Sequence, residues 1–138
     1  MSFAKQAVVL IPSPSEKSRL WMQHTFIALS DGFVVEGYPR SVVLVTVSSV
    51  KPDIAHDKTC ELAGGCHSTI LYPSFVRYAR SRFESCVQID KGIANRSFLE
   101  KEPLDDAVFE SVEAGLLVSP MTPLNIKEIY AQFLGISE

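Results

Sequence analysis

The chain reads as an α+β domain, a small curled β-barrel of five or six short strands followed by two helices. Three observations carry that reading. Short apolar, β-branched runs fill residues 1–99, and Gly- or Pro-containing breaks separate them. The apolar period then changes after Pro103, from the two-residue alternation of strands to steps of four. No internal repeat or low-complexity tract interrupts the pattern. At 138 residues the chain suits a single domain, with the barrel over 1–99 and a helical part over 100–138.

The elements follow in order. Ala7–Ile11 is a wholly apolar run and reads as a buried strand, and Pro12–Ser18 reads as a loop. Leu20–Leu29 reads as a second strand, antiparallel to the first and closed by the turn at Ser30–Gly32. Phe33–Val35 reads as a short edge piece. Ser41–Val50 is the strongest strand, rich in Val and Thr and stopped by Pro52. A charged loop containing His56 leads to a short strand over Thr59–Leu62 and a turn at Gly64–Gly65. Phe75–Ala79 reads as extended, and Phe83–Ile89 is open between strand and a turn of helix. Leu104, Val108, Val112 and Leu116 form a helical stripe ended by Ser119–Pro120, with Pro103 in its first turn. Thr122 then reads as an N-cap, Ile126, Ile129, Tyr130 and Phe133 as a second stripe, and Gly135 as its cap.

Composition excludes several classes. A hydrophobic content of 46% argues against disorder, and a net charge of −3 gives no global attraction to nucleic acid. Contact with RNA or DNA must come from a local basic patch. Three cysteines do not make a disulfide framework. The N-terminus lacks a secretory pattern, and no apolar run nears the roughly 20 residues of a membrane helix. A cytoplasmic protein without membrane contact is the expectation.

Candidate chemistry concentrates between Cys60 and Arg82. His67 follows the Gly64–Gly65 turn and would take and give a proton near neutral pH, or would pin the turn through a backbone hydrogen bond. Arg77, Tyr78, Arg80 and Arg82 are the best basic-aromatic cluster, with Ser74 beside them. On an extended strand Arg77 lies on one face, and Tyr78, Arg80 and Arg82 lie on the other. That second face could hold a phosphate with a stacked base, or be a solvated strand face whose charges block edge pairing. His24, in the second strand, is a further proton-transfer candidate if it faces outward near Ser48, and a structural histidine otherwise. His56, Cys60, Cys66 and His67 contain no strong zinc spacing, so neither metal nor cofactor is expected. Nothing near Cys86 in sequence would activate it as a nucleophile.

Two segments resemble the MazF/PemK/Kid group of toxins from toxin–antitoxin pairs. His24–Ser30 is similar to that family's Arg-Pro-apolar-strand-Ser segment. Val42–Ser49 is similar to its apolar strand ending in Thr or Ser. The Gly65-Cys66-His67 and Ser74-to-Tyr78 pattern resembles small phage and plasmid proteins. The resemblance covers the first two thirds of the chain. It implies an SH3-like barrel and metal-independent cleavage of single-stranded RNA. It also implies a cognate antitoxin protein as partner and a homodimer. His24 stands where the family has Arg-Pro, so only Ser48 or Ser49 carries over, and the Gly-rich opening motif is absent.

The expectation is therefore an endoribonuclease toxin. His67 or His24 would be the acid–base group, and Ser48 or Ser49 would position the strand. Arg77, Tyr78, Arg80, Arg82 and Ser74 would hold substrate. The alternative is a non-catalytic protein-binding module of a phage or plasmid, docking through Ile126–Phe133 or Phe33–Tyr38.

Overall fold

The computed structural model describes residues 4–14 and 21–137. Among these residues, seven antiparallel strands build one open sheet: β1 (Val8–Pro14), β2 (Trp21–Ala28), β3 (Ser41–Ser49), β4 (Glu61–Leu62), β5 (Ser74–Val76), β6 (Arg82–Ser85) and β7 (Leu99–Lys101). Among them too are three α-helices: α1 (Cys86–Ala94), α2 (Asp106–Val118) and α3 (Leu124–Ser137). The strand order is β4-β5-β3-β2-β1-β7, with β6 also on β3. The path ends on β4 and β7 without joining them, so the expected closed barrel is corrected to an open sheet. Among the described residues, no helix is long and apolar enough to cross a membrane.

The central strand is buried on both faces. Val43 and Val45 face one core with Val8 and Ile27, closed by Val112 and Leu116 of α2 and by Ile126, Ile129 and Tyr130 of α3. Val42 and Leu44 face the other with Val9, Phe26 and Ala28, closed by Cys86 and Ile89 of α1. Continuous apolar runs in the first and third strands follow from that two-sided cover.

Strand β3 is long enough to carry two partners along one edge. Ser41–Leu44 pairs with β6, and Val47–Ser49 pairs with β5. Between them the chain leaves the ladder through a 3₁₀ turn at Tyr78–Arg80. Tyr78 drops from this turn into the core, where its hydroxyl donates to the Val112 carbonyl at 2.6 Å. The extended path expected over Phe75–Ala79 therefore stops at the turn.

Several boundaries move. Strand β1 continues through Pro12 and Pro14, where a loop is expected. Pairing to β7 stops at Leu10, so these prolines, which have no N–H, occupy a stretch of β1 that β7 does not use. The rest of the expected loop, Ser15–Ser18, and Leu20 at the expected start of the second strand lie outside the described residues. The ambiguous Phe83–Ile89 segment divides into β6 and α1 at the Ser85 N-cap, whose hydroxyl accepts from the Gln88 N–H. Asp105 rather than Pro103 sets the start of α2. The Thr122 hydroxyl donates to the Leu116 carbonyl instead of capping α3, which begins at Leu124. Gly135 lies inside that helix. The 99/100 boundary falls within β7, which pairs with β1.

Candidate nucleic-acid interface

Helix α1 covers only part of its side of the sheet. Beyond it the same face continues as a polar row. Phe26 pairs with Thr46, and Ile11 pairs with His24. The β2–β3 pairing ends at Phe26 and Thr46, and His24 and Ser48 each lie two residues beyond it, on the same face as that pair by strand alternation. Ser48 pairs with Phe75, and Phe75 pairs with Glu61. Ile11–His24 and Ser48–Phe75–Glu61 are thus two paired rows on one face, on either side of the point where β2 and β3 part.

Arginines border these rows. The Arg77 N–H donates to the Thr46 carbonyl at 2.8 Å, which fixes the root of its side chain beside β3. Arg82 pairs with Leu44, lies over the Phe26 ring at 4.3 Å and contacts Glu84 at 3.2 Å. Exposed Arg80 closes the 3₁₀ turn between them. The alternation expected for Arg77, Tyr78, Arg80 and Arg82 fails because the turn resets it. Arg77 and Arg82 flank His24 together, while Tyr78 is fully buried.

His24 is half-buried, and its Nε2 is buried with no hydrogen-bond partner among the described residues. Burial holds its pKa below the ordinary imidazole value, and the charges of Arg77, Arg82 and Arg80 lower it further. The result is a neutral imidazole amid cations. Such a group can accept a proton, and an incoming anion can pair with the cations around it.

His67 takes the other path open to it. It is buried, its Nδ1 accepts the Thr69 N–H at 3.1 Å, and its Nε2 donates to the Glu102 carbonyl at 2.8 Å. Both ring nitrogens are thus used: Nδ1 holds the chain after the Gly64–Gly65 turn, and Nε2 ties it to the segment before α2. Ser74 is buried too, its hydroxyl donating to the Tyr72 carbonyl at 2.7 Å. Ser49 is exposed and pairs with Ser74. The structure therefore brings together His24, Ser48, Arg77, Arg80 and Arg82 and sets His67, Ser74 and Tyr78 apart from them. As corrections to the expected substrate contacts, Tyr78 and Ser74 have no open surface to offer.

Phe75 and His56 are the residues that sequence reasoning missed as partners of this face. Their ring centroids are 4.8 Å apart, and His56 Nε2 meets Glu61 Oε2 at 2.7 Å. His56 and His67 thus serve different contacts, and no group of three His, Cys, Asp or Glu side chains among the described residues converges to hold a metal. Compared with known proteins, the chain matches no family model and finds no significant match among curated sequences.

Proposed function

We infer that the arginine-bordered face binds single-stranded RNA and cleaves it without metal, in the manner of an endoribonuclease toxin. The observation that carries this reading is the Nε2 of His24, without a hydrogen-bond partner among the described residues, in an imidazole whose pKa burial and then Arg77, Arg82 and Arg80 lower. Strand cleavage through the 2′-hydroxyl forms a 2′,3′-cyclic phosphate and breaks the bond to the 5′-oxygen; it needs a base for the hydroxyl proton, cations for the charge that builds on the phosphate, and a proton for the leaving oxygen. His24 supplies the first, the arginines the second and water the third. A phosphate drawn to the guanidinium groups brings its neighbouring 2′-hydroxyl, the proton donor, towards the imidazole, and Ser48 positions the strand. A cognate antitoxin and a homodimer belong to the same proposal through the toxin resemblance.

The test is cleavage of a labelled single-stranded RNA in the presence of EDTA. Wild-type protein cleaves it, whereas His24→Asn binds the RNA but leaves it intact, because a proton-transfer group acts mainly in the transition state. Equal cleavage by both proteins would overturn His24 as the base.

A second reading, a non-catalytic protein-binding module, is favoured by one feature. Leu117, Val118, Met121 and Leu124 are exposed around the α2–α3 connection. The interface earlier expected at Ile126–Phe133 is instead core, since Ile126, Ile129, Tyr130 and Phe133 are buried. Failure of wild-type protein to bind RNA at low salt, with retained fold, selects this second reading.

A further inference from the structure

The polar row extends past Ser48 to an aromatic pair and a basic loop that the cleavage chemistry does not use. Phe75 lies in the strand next to Ser48. The Phe75 ring is half-buried, and the His56 imidazole leans on it with an interplanar angle of 34°. Glu61 holds His56 in place from the edge strand. The loop that supplies His56 forms an open hollow of about 450 Å³, lined by its own residues, among them Val50, Lys51, Ile54, His56 and Lys58. The loop is itself fastened: the Asp57 carboxylate accepts from Ser119 at the end of α2 and from the Thr59 N–H.

We propose that the Phe75–His56 pair and this cavity form a base-binding subsite for the nucleotide that neighbours the phosphate held at His24. The inference rests on the RNA reading above and adds the place where a base is received. The open edge of this tilted aromatic pair stacks a base without requiring one identity, and the lysines of the cavity wall meet its phosphate. Phe75 pairs with Ser48, which lies on the same face of β3 as Thr46, the partner of Phe26 two residues from His24, so a strand lying across this face passes from one to the other. A base seated here fixes the strand's register against His24, and cavity shape then determines which base is preferred.

The test uses fluorescein-labelled single-stranded RNA octamers of uridine, cytidine or adenosine, with wild-type, His24→Asn, Phe75→Ala and Phe75→Trp proteins. Phe75→Ala weakens binding by about 5- to 150-fold, the loss expected for one stacked base. It also relaxes the base preference beside the cut in a mixed-sequence RNA. His24→Asn, which does not cut the octamers, keeps the wild-type order of affinity among the three bases. Phe75→Trp retains affinity, and its added fluorescence is quenched by the octamers beyond the background from Trp21. This arm keeps the proposal testable if removing the ring unfolds the protein. Lys58→Ala lowers the slope of log K against log salt by about 0.7. Unchanged affinity and unchanged cut-site preference in Phe75→Ala, or an unquenched tryptophan at 75 in protein that binds RNA, would overturn the subsite and leave the cleavage reading standing. Wild-type protein that binds no octamer at low salt would overturn both.

Discussion

At the scale of single residues, a buried imidazole among guanidinium groups resists protonation. His24 has its folded pKa below the ordinary value of 6.5, through burial first and then Arg77, Arg82 and Arg80. A histidine of this kind binds its proton more readily in the unfolded chain. It therefore contributes stability above pH 6.5 that is lost as pH falls from there through the folded value. The melting temperature of wild-type protein should drop across that window more than that of His24→Asn. Equal pH profiles would remove the desolvated imidazole from the account. His67 calls for the opposite kind of prediction. Its loss leaves the Thr69 N–H and the Glu102 carbonyl without their partner, so His67→Ala should cost about 1–3 kcal/mol in urea unfolding. The turn position and residue type of His67 were legible in sequence, but a buried pin and an open acid–base group share that signal. What separates them is the Glu102 carbonyl, 35 residues away along the chain. The approach of Tyr78 to Gly115 was equally illegible. A methyl group at 115 would run into the Tyr78 hydroxyl, so Gly115→Ala should destabilise by about 1–3 kcal/mol in the same assay.

At the scale of elements, the first three strands and the last two helices were legible because each carries a strong periodic or β-branched pattern. Helix α1 was not, although Ser85-Cys-Val-Gln88 has the Ser-x-x-Gln spacing of a capping box and Cys86, Ile89 and Ile93 share one side. Phe83, partly buried against the opposite core, runs into that stripe and blurs the change of period. Strand β7 has no readable pattern, since Leu99, Glu100 and Lys101 are all exposed and are placed by their pairing with β1. The closed barrel failed for a related reason. The unbroken apolar run Val42–Val45 marks a strand covered on both faces, and α1 provides the second cover. Val43→Asp and Val45→Asp should each abolish cooperative unfolding, because an unpaired charge in that core costs on the order of the whole stability. Wild-type melting in either mutant would refute the central placement of β3.

At the scale of the whole molecule, a net charge of −3 coexists with an arginine-bordered face. RNA binding should therefore be local and steeply salt-dependent, with Arg77→Ala and Arg82→Ala each lowering the slope of log K against log salt by about 0.7. Both arginines should matter, because the 3₁₀ turn carries them to the same side. The sequence allowed His24, Ser48 and the arginines to be selected as candidates, but not to be joined. Their meeting depends on the β2–β3 register and on the interruption between β5 and β6. Neither is encoded in local periodicity. The most direct measurement of the central claim is an NMR pH titration of His24, assigned by comparison with His24→Asn, with and without a single-stranded RNA octamer. The account predicts a pKa below 6.5 in the free protein, rising when the RNA phosphate reaches the ring. A value at or above 6.5 that RNA leaves unmoved would contradict it.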